Sequence, residues 1–271
     1  MQDKIVIRKV MLHQHEEPIL TSSNDKGSGA IFFAGCNLKC VYCQNYDVSH
    51  TSKGLEITPQ DLANIFKKLE ENGAGNIDLV TPTHFTKQII EALKIYKPKV
   101  PVIWNTSGYE DKETIKSLKN LVDIYLTDFK YANNDYSLKY SKAPNYVENA
   151  TQSLGEMKEQ IPKNIFINGK MIKGIIVRHM VLPTLAKDSL KVLDIVNSIL
   201  GNTAIVSIMS QYTPMNIDKQ YNEINRRISN MEYKLVLSHA NKLNLKNAFI
   251  QDLESSNEKY TPCFNNKIFE I

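Results

Sequence analysis

A chain of 271 residues with 42% hydrophobic residues can bury a sizeable core, as one large domain or two small ones, which excludes a disordered chain. Its 33 Lys and Arg against 29 Asp and Glu leave a net charge of +4, too weak and too dispersed for a nucleic-acid partner. The opening MQDKIVIRKV lacks the apolar core of a secretory signal, and no stretch approaches the ~18 consecutive apolar residues of a membrane span. A cytoplasmic protein without a membrane partner is the expectation.

In chain order, the first distinctive stretch is His13-Gln14-His15-Glu16-Glu17-Pro18. Charge-rich stretches before Pro read as solvated turns, and the alternative is a contact to substrate or partner. Then come six near-continuous apolar runs, AIFFA (30–34), IDLVT (77–81), VPVIWN (100–105), VDIYLTD (122–128), GIIVRHMV (174–181) and TAIVSIM (203–209). Such runs suit strands buried on both faces of a parallel sheet. Helical patterns separate them: DLANIFKKLEEN behind a Thr58 cap, Pro59 and Asp61, then FTKQIIEALKIY, KETIKSLKN, a stretch near 145–160, SLKVLDIVNSIL and MEYKLVLSHANKLN. Asn168-Gly169 between two apolar runs predicts a hairpin ahead of the fifth strand. Repeated βα units mean an α/β barrel or a doubly wound sheet. A single domain over 1–271 is expected, with 1–28 as an N-terminal extension and 245–271 as a C-terminal tail.

Ligands in parallel α/β folds bind at the carboxyl ends of strands. There the chain places Cys36, Cys40 and Cys43, then Thr81-Pro82-Thr83-His84, Asn105-Thr106-Ser107-Gly108, Asp128-Phe129-Lys130, Arg178-His179 and Gln211-Tyr212. Three of the chain's four cysteines fall within eight positions. In a reducing compartment that clustering suggests metal or catalysis rather than a disulfide framework. Read from spacing, the thiolates suit a structural zinc with His50 as a fourth ligand, or a three-cysteine 4Fe-4S cluster with one iron left open. Cys263 reads as a small buried hydrophobe.

Cys36-Asn37-Leu38-Lys39-Cys40-Val41-Tyr42-Cys43 resembles the CxxxCxxC signature of radical S-adenosylmethionine (SAM) enzymes. Through GSGAIFFAGCNLKCVYCQN, LVTPTHF, NTSGY, VDIYLTDFKY, VRHMVLP and QYTPM, nearly the whole chain is similar to pyruvate formate-lyase activating enzyme-like proteins. The resemblance implies a partial (β/α)6 barrel of the TIM type, open at the side, with a 4Fe-4S cluster on Cys36, Cys40 and Cys43 at the top of the first strand. It implies reductive cleavage of SAM to a 5'-deoxyadenosyl radical that takes a hydrogen atom from a substrate. An electron donor such as flavodoxin or ferredoxin is implied as well.

By the same resemblance Lys130 and Arg178 hold the SAM carboxylate. Asn105, Thr106 and Asp128, with Ser107 beside them, match positions near SAM that bind a monovalent cation in some activating enzymes, Asn105 replacing an Asp. Tyr42 and Tyr212 flank the adenosine. The chain departs from activating enzymes after the second strand, where a Gly-Gly-Glu-like stretch is replaced by Thr81-Pro82-Thr83-His84, so that Thr83 or backbone carbonyls take the SAM amino group. Three functions are weighed: an activase for a glycyl-radical enzyme, a radical SAM enzyme acting on a small molecule or another peptide, and a zinc-stabilised binding protein without catalysis. A protein substrate is expected to touch residues 13–17 and the hairpin at Asn168-Gly169.

Overall fold

The structure is a computed structural model, and it describes residues 4–14, 16–215, 217–245, 247–251 and 267–271. His15 and Cys263 lie outside the described residues, and so does the expected burial of Cys263.

The strands are β1 Ile5–His13, β2 Ser28–Phe33, β3 Leu55–Ile57, β4 Ile77–Val80, β5 Val102–Thr106, β6 Ile124–Asp128, β7 Ile165–Ile167, β8 Lys170–Met180, β9 Ile205–Met209, β10 Asn247–Ile250 and β11 Phe269–Glu270. The helices are α1 Tyr46–Ser49, α2 Pro59–Glu71, α3 Thr86–Ile95, α4 Lys112–Ser117, α5 Asn134–Ser141, α6 Tyr146–Gln160, α7 Ala186–Leu200 and α8 Asn230–Lys242. One sheet runs β10-β9-β8-β6-β5-β4-β2-β1-β11. From β10 to β2 every neighbouring pair is parallel, so their carboxyl ends share one rim. The sheet curls far enough for Phe32 of β2 and Phe249 of β10 to line one cavity, and it stays open between its two edges. The fold is thus a partial, TIM-like barrel. The six expected strands are β2, β4, β5, β6, β8 and β9. No helix among the described residues is long and apolar enough to cross a membrane.

Local chemistry explains the elements. Thr58 and Asp61 form a reciprocal capping box at the start of α2, with Pro59 in the first turn. Asn168 and Gly169 both take positive φ (51° and 80°), the conformation of a tight hairpin turn, and join β7 to β8. The hairpin arm is continuous with the fifth expected strand, making β8 one strand of 11 residues.

The stretch 1–28 is more than an extension. Its strand β1 pairs antiparallel with β2, so that His13 faces Ser28 at the start of β2. The chain then turns under the barrel, and the 3-10 turn Pro18–Leu20 buries Leu20 completely among Ile103, Ile124, Leu126, Ile176 and Ile205. Apolar side chains from four neighbouring strands leave an opening at the amino ends, and Leu20 fills it. The buried amide of Asn76 donates to the Leu20 carbonyl and fixes the turn (2.8 Å). The expected tail likewise supplies sheet: β10 extends β9, and β11 pairs with β1, where the fully buried Lys9 meets Glu270 at 2.6 Å.

Candidate active site

A cavity of about 670 Å³ occupies the barrel. At its upper end lies the loop after β2, bearing Cys36, Cys40 and Cys43, all free thiols that line the cavity. Backbone bonds strap this loop to the end of α5, Lys39 N–H to the Ser141 carbonyl and Val41 N–H to the Tyr140 carbonyl (both 2.9 Å). Asn37 Nδ2 donates to the Tyr109 carbonyl (2.6 Å), and His84 Nε2 donates to the Ala34 carbonyl (2.7 Å). The thiols meet hydroxyls, Cys40 with Ser141 (3.0 Å) and Cys43 with Ser49 (3.1 Å). Behind Cys40, Ser141 contacts the Tyr131 hydroxyl (2.6 Å), which contacts that of Tyr42 (2.6 Å).

Burial pushes the Cys40 thiol up to about 12, with the nearby Lys130 charge pulling the other way. Burial raises Cys36 too. Thiols in this state need the charge of a metal to ionise and bind it. Among the described residues no three His, Cys, Asp or Glu side chains stand close enough to hold one metal ion. His50, the fourth ligand of the zinc reading, bonds Ser49 through Nδ1 (2.8 Å), stacks on Tyr46 and faces a separate depression with Arg8 and Thr51. Three thiolates around an open space, on a short loop beside a lysine, fit a three-cysteine iron-sulfur cluster.

Below the loop, a polar layer crosses the barrel. Asp78 of β4 accepts from Asn105 Nδ2 (3.2 Å), and Asn105 Oδ1 accepts from an Arg178 terminal nitrogen (2.7 Å). Arg178 Nε donates to Asp128 Oδ1 (3.0 Å), whose other oxygen takes Lys130 Nζ (2.6 Å). Burial opposes the charges on Asp128 and Lys130. Their mutual attraction prevails, holding Asp128 below and Lys130 above its ordinary value, and Arg178 contributes to lowering Asp128. Asn105, Thr106, Ser107, Asp128, Lys130, Arg178 and Tyr42 all line the cavity, as do Thr81 and Gln211.

Thr83, His84, His179 and Tyr212 are absent from its lining. The Thr83 hydroxyl donates to Glu110 (2.8 Å), as the hydroxyl of Thr106 (2.5 Å) and the indole of Trp104 (3.1 Å) also do. Thr106 still reaches the cavity, whereas Thr83 does not line it. His179 follows Arg178 and, with the period of two along a strand, faces outward, bonded to Phe129 and Ser189. Tyr212 is buried, its hydroxyl donating to the Ile224 carbonyl (2.8 Å) and its ring edge-on to Tyr42. Thr81 takes φ 59°, strained for a β-branched residue, at the point where activating enzymes carry Gly-Gly-Glu.

The 13–17 stretch is no solvated turn, since His13, Gln14, Glu16 and Glu17 form the cavity floor. That floor lies at the amino ends of the strands. The hairpin at Asn168-Gly169 precedes β8 and therefore lies at the same end, away from the cysteine rim. Both expected partner contacts are thus opposite the mouth. Sequence reasoning also missed Glu110, one residue past the NTSGY match, and the bracing residues Ser49, Tyr131 and Ser141, which carry no motif.

Residues 30–181 match the sequence profile of the radical SAM superfamily. The chain is 33% identical over 244 residues to an uncharacterized protein of Methanocaldococcus jannaschii, covering 86% of this chain and 66% of that protein. It is 25% identical over 217 residues to the pyruvate formate-lyase-activating enzyme of Clostridium pasteurianum, covering 76% and 81%. A radical SAM methyltransferase from Sphaerobacter thermophilus shares the fold, with a TM-score of 0.54, 10% identity and coverage of 83% and 66%. On its sequence match and its fold, the chain belongs to the radical SAM superfamily.

Proposed function

We propose that this protein cleaves SAM reductively at a 4Fe-4S cluster and uses the resulting radical to remove a hydrogen atom from a substrate. The observation that carries this reading is the placement of Cys36, Cys40 and Cys43 on the rim of the cavity that Asp128, Lys130 and Asn105 also line. Cys36, Cys40 and Cys43 would hold the cluster, and Lys130 would meet the SAM carboxylate with a charge-assisted hydrogen bond. When bound, the cluster and SAM supply the electron transfer and the radical chemistry. The chain's own residues orient the cofactor and wall its reactive carbon off from water. A small electron carrier such as flavodoxin or ferredoxin is the proposed reductant, and the cytoplasm the proposed location. Thr83 being engaged by Glu110, the backbone carbonyls around Thr81 are the proposed acceptors for the SAM amino group.

The test is anaerobic reconstitution. The protein should hold about four irons and, with dithionite and SAM, form 5'-deoxyadenosine and methionine without added substrate. Cys36→Ala should abolish both. Stoichiometric zinc with no iron in protein purified without oxygen would overturn the reading.

A narrower reading, activation of a glycyl-radical enzyme, is favoured by the similarity to the Clostridium pasteurianum activating enzyme over 76% of the chain. It is tested by incubating reduced enzyme, SAM and a glycyl-radical enzyme of the same organism. A glycine-centred doublet in the electron paramagnetic resonance spectrum, lost in Cys40→Ala, supports it, and a genome without such an enzyme rules it out.

A further inference from the structure

Two of the rim thiols stand at the head of hydrogen-bonded relays. Behind Cys40 come the hydroxyls of Ser141, 3.0 Å from Sγ, Tyr131, 2.6 Å further on, and Tyr42, another 2.6 Å beyond. Behind Cys43 come the Ser49 hydroxyl (3.1 Å) and then His50 Nδ1 (2.8 Å). Ser141 and Tyr131 are wholly buried, and neither they nor His50 line the cavity, so a molecule in the barrel meets the thiols and not these groups. Packing fixes them from outside. The bonds that strap the cysteine loop run to the carbonyls of Tyr140 and Ser141, the Tyr131 ring packs edge-on to Tyr146 (5.5 Å), and the His50 ring stacks on Tyr46 (4.1 Å).

The order of protons in each relay depends on the sulfur. A thiol and a hydroxyl both donate and accept, so with protonated cysteines each relay can run either way. A thiolate only accepts. With Cys40 ionised, Ser141 spends its single proton on the sulfur, Tyr131 then donates to Ser141, and Tyr42 donates to Tyr131. By the same count Ser49 donates to Cys43, and His50 carries a proton on Nδ1. Each relay then ends in a charge-assisted hydrogen bond to sulfur, strengthened by the donors aligned behind it. Cys36 takes the Leu38 backbone N–H instead, at the longer distance of 3.4 Å.

We propose that Ser141 with Tyr131 and Tyr42, and Ser49 with His50, are positioning residues that stabilise negative charge on the sulfurs of Cys40 and Cys43 and so raise the reduction potential of a cluster held there. This rests on the radical SAM reading for the cluster, since hydrogen bonds to the sulfurs are one of the levers that set its potential. One electron from the reductant adds one negative charge and no proton. Donors aimed at sulfur favour that more negative state, and their loss disfavours it.

The experiment is an anaerobic redox titration of iron-loaded protein, followed by the electron paramagnetic resonance signal of the reduced state, with iron content measured for each variant. Ser141→Ala and Ser49→Ala should each shift the reduction equilibrium about tenfold toward the oxidised state, a fall of about 59 mV for one electron. Tyr131→Phe and His50→Phe keep the thiols, both serines and an aromatic ring in place. They should load iron as the wild type does and shift the equilibrium about twofold in the same direction. Tyr109→Phe, which removes a rim hydroxyl bonded to the Pro144 carbonyl (2.9 Å), is the control and should leave the potential where it is. Unchanged potentials in Tyr131→Phe and His50→Phe, a rise instead of a fall, or an equal fall in Tyr109→Phe would overturn the proposal, and these variants decide it even where the alanine variants lose iron. A wild type that takes up no iron overturns both the proposal and the radical SAM reading. Protein with the shifted potentials that forms no 5'-deoxyadenosine upholds the relays and refutes that reading.

Discussion

Lys130 and Arg178 carry the same charge and line the same cavity, yet their surroundings give them different roles. The Arg178 head spends Nε on Asp128 and one terminal N–H on Asn105 and lies 3.9 Å from Glu16, so its charge is already shared across the polar layer. Among the described residues the Lys130 ammonium bonds Asp128 alone, and it stands beside Cys40 with two protons to offer. Lys130→Ala should therefore weaken SAM binding by about 1.5–3 kcal/mol, the scale of a hydrogen bond to a charged group, while iron content is unchanged. Arg178→Met should instead lower stability by about 3 kcal/mol or more, because Asp128 and Glu16 lose their shared cation inside the barrel. Titration calorimetry and urea denaturation separate the two effects. A stable Arg178→Met variant that no longer binds SAM would return Arg178 to the role implied by the activating enzymes. The cysteines were legible in sequence because ligand spacing is local. Thr83 was not, since its partner Glu110 lies 27 residues away and hydrogen bonding across strands leaves no trace in a linear pattern.

At the scale of elements, the buried parallel strands were readable because each is a short apolar run, and α2 because its capping box lies within four residues. Of the elements that escaped, three show why. The strand β1 mixes Arg8 and Lys9 into its apolar letters, and the buried Lys9 is met by Glu270 from the far end of the chain. The turn Pro18–Leu20 has no periodicity, and its place under the barrel is decided by the opening it fills. Helix α5, with its weakly amphipathic sequence, holds the cysteine loop by backbone bonds that any residues would make. His179 shows how an element is pinned. A carbonyl only accepts, so Nδ1 carries the proton toward Phe129 of the β6 end, and Nε2 accepts from Ser189 of α7. Burial foremost depresses this imidazole to about 4, from 6.5. The unfolded chain takes up the proton first as pH falls. The stability from keeping His179 neutral is complete above about pH 6.5 and is lost as pH drops toward 4, up to about 3 kcal/mol. Urea denaturation at pH 7 and 4.5 should show a wild-type loss roughly 2 kcal/mol larger than that of His179→Gln, other carboxylates titrating alike in both. Equal losses would mean that His179 is not held neutral.

At the scale of the whole molecule, the cavity gathers side chains from distant parts of the sequence, with rim, polar layer and floor stacked along the strands. The Gly108 turn after β5 shows how tightly the rim is built. Its φ is 78°, and a Cβ there would collide with the Asp128 carbonyl. Such a rim is preorganised at a cost: thiols that burial keeps protonated, a strained Thr81 and carboxylates close together. A group that binds only the folded chain repays this through mass action, by RT ln(1 + [L]/Kd). Cluster loading should therefore raise the melting temperature measurably, and SAM at one hundred times its Kd should add about 2.7 kcal/mol. For a chain of this size that is roughly 5–10 °C. Scanning calorimetry of apo, cluster-loaded and SAM-saturated protein under nitrogen should show two successive upward steps. In Cys40→Ala, which keeps the cavity but removes one ligand, both should disappear, since SAM then lacks the iron that anchors it. If SAM raises the melting temperature of Cys40→Ala as much as that of the loaded wild type, SAM binding does not depend on the cluster and the arrangement proposed for the rim is wrong.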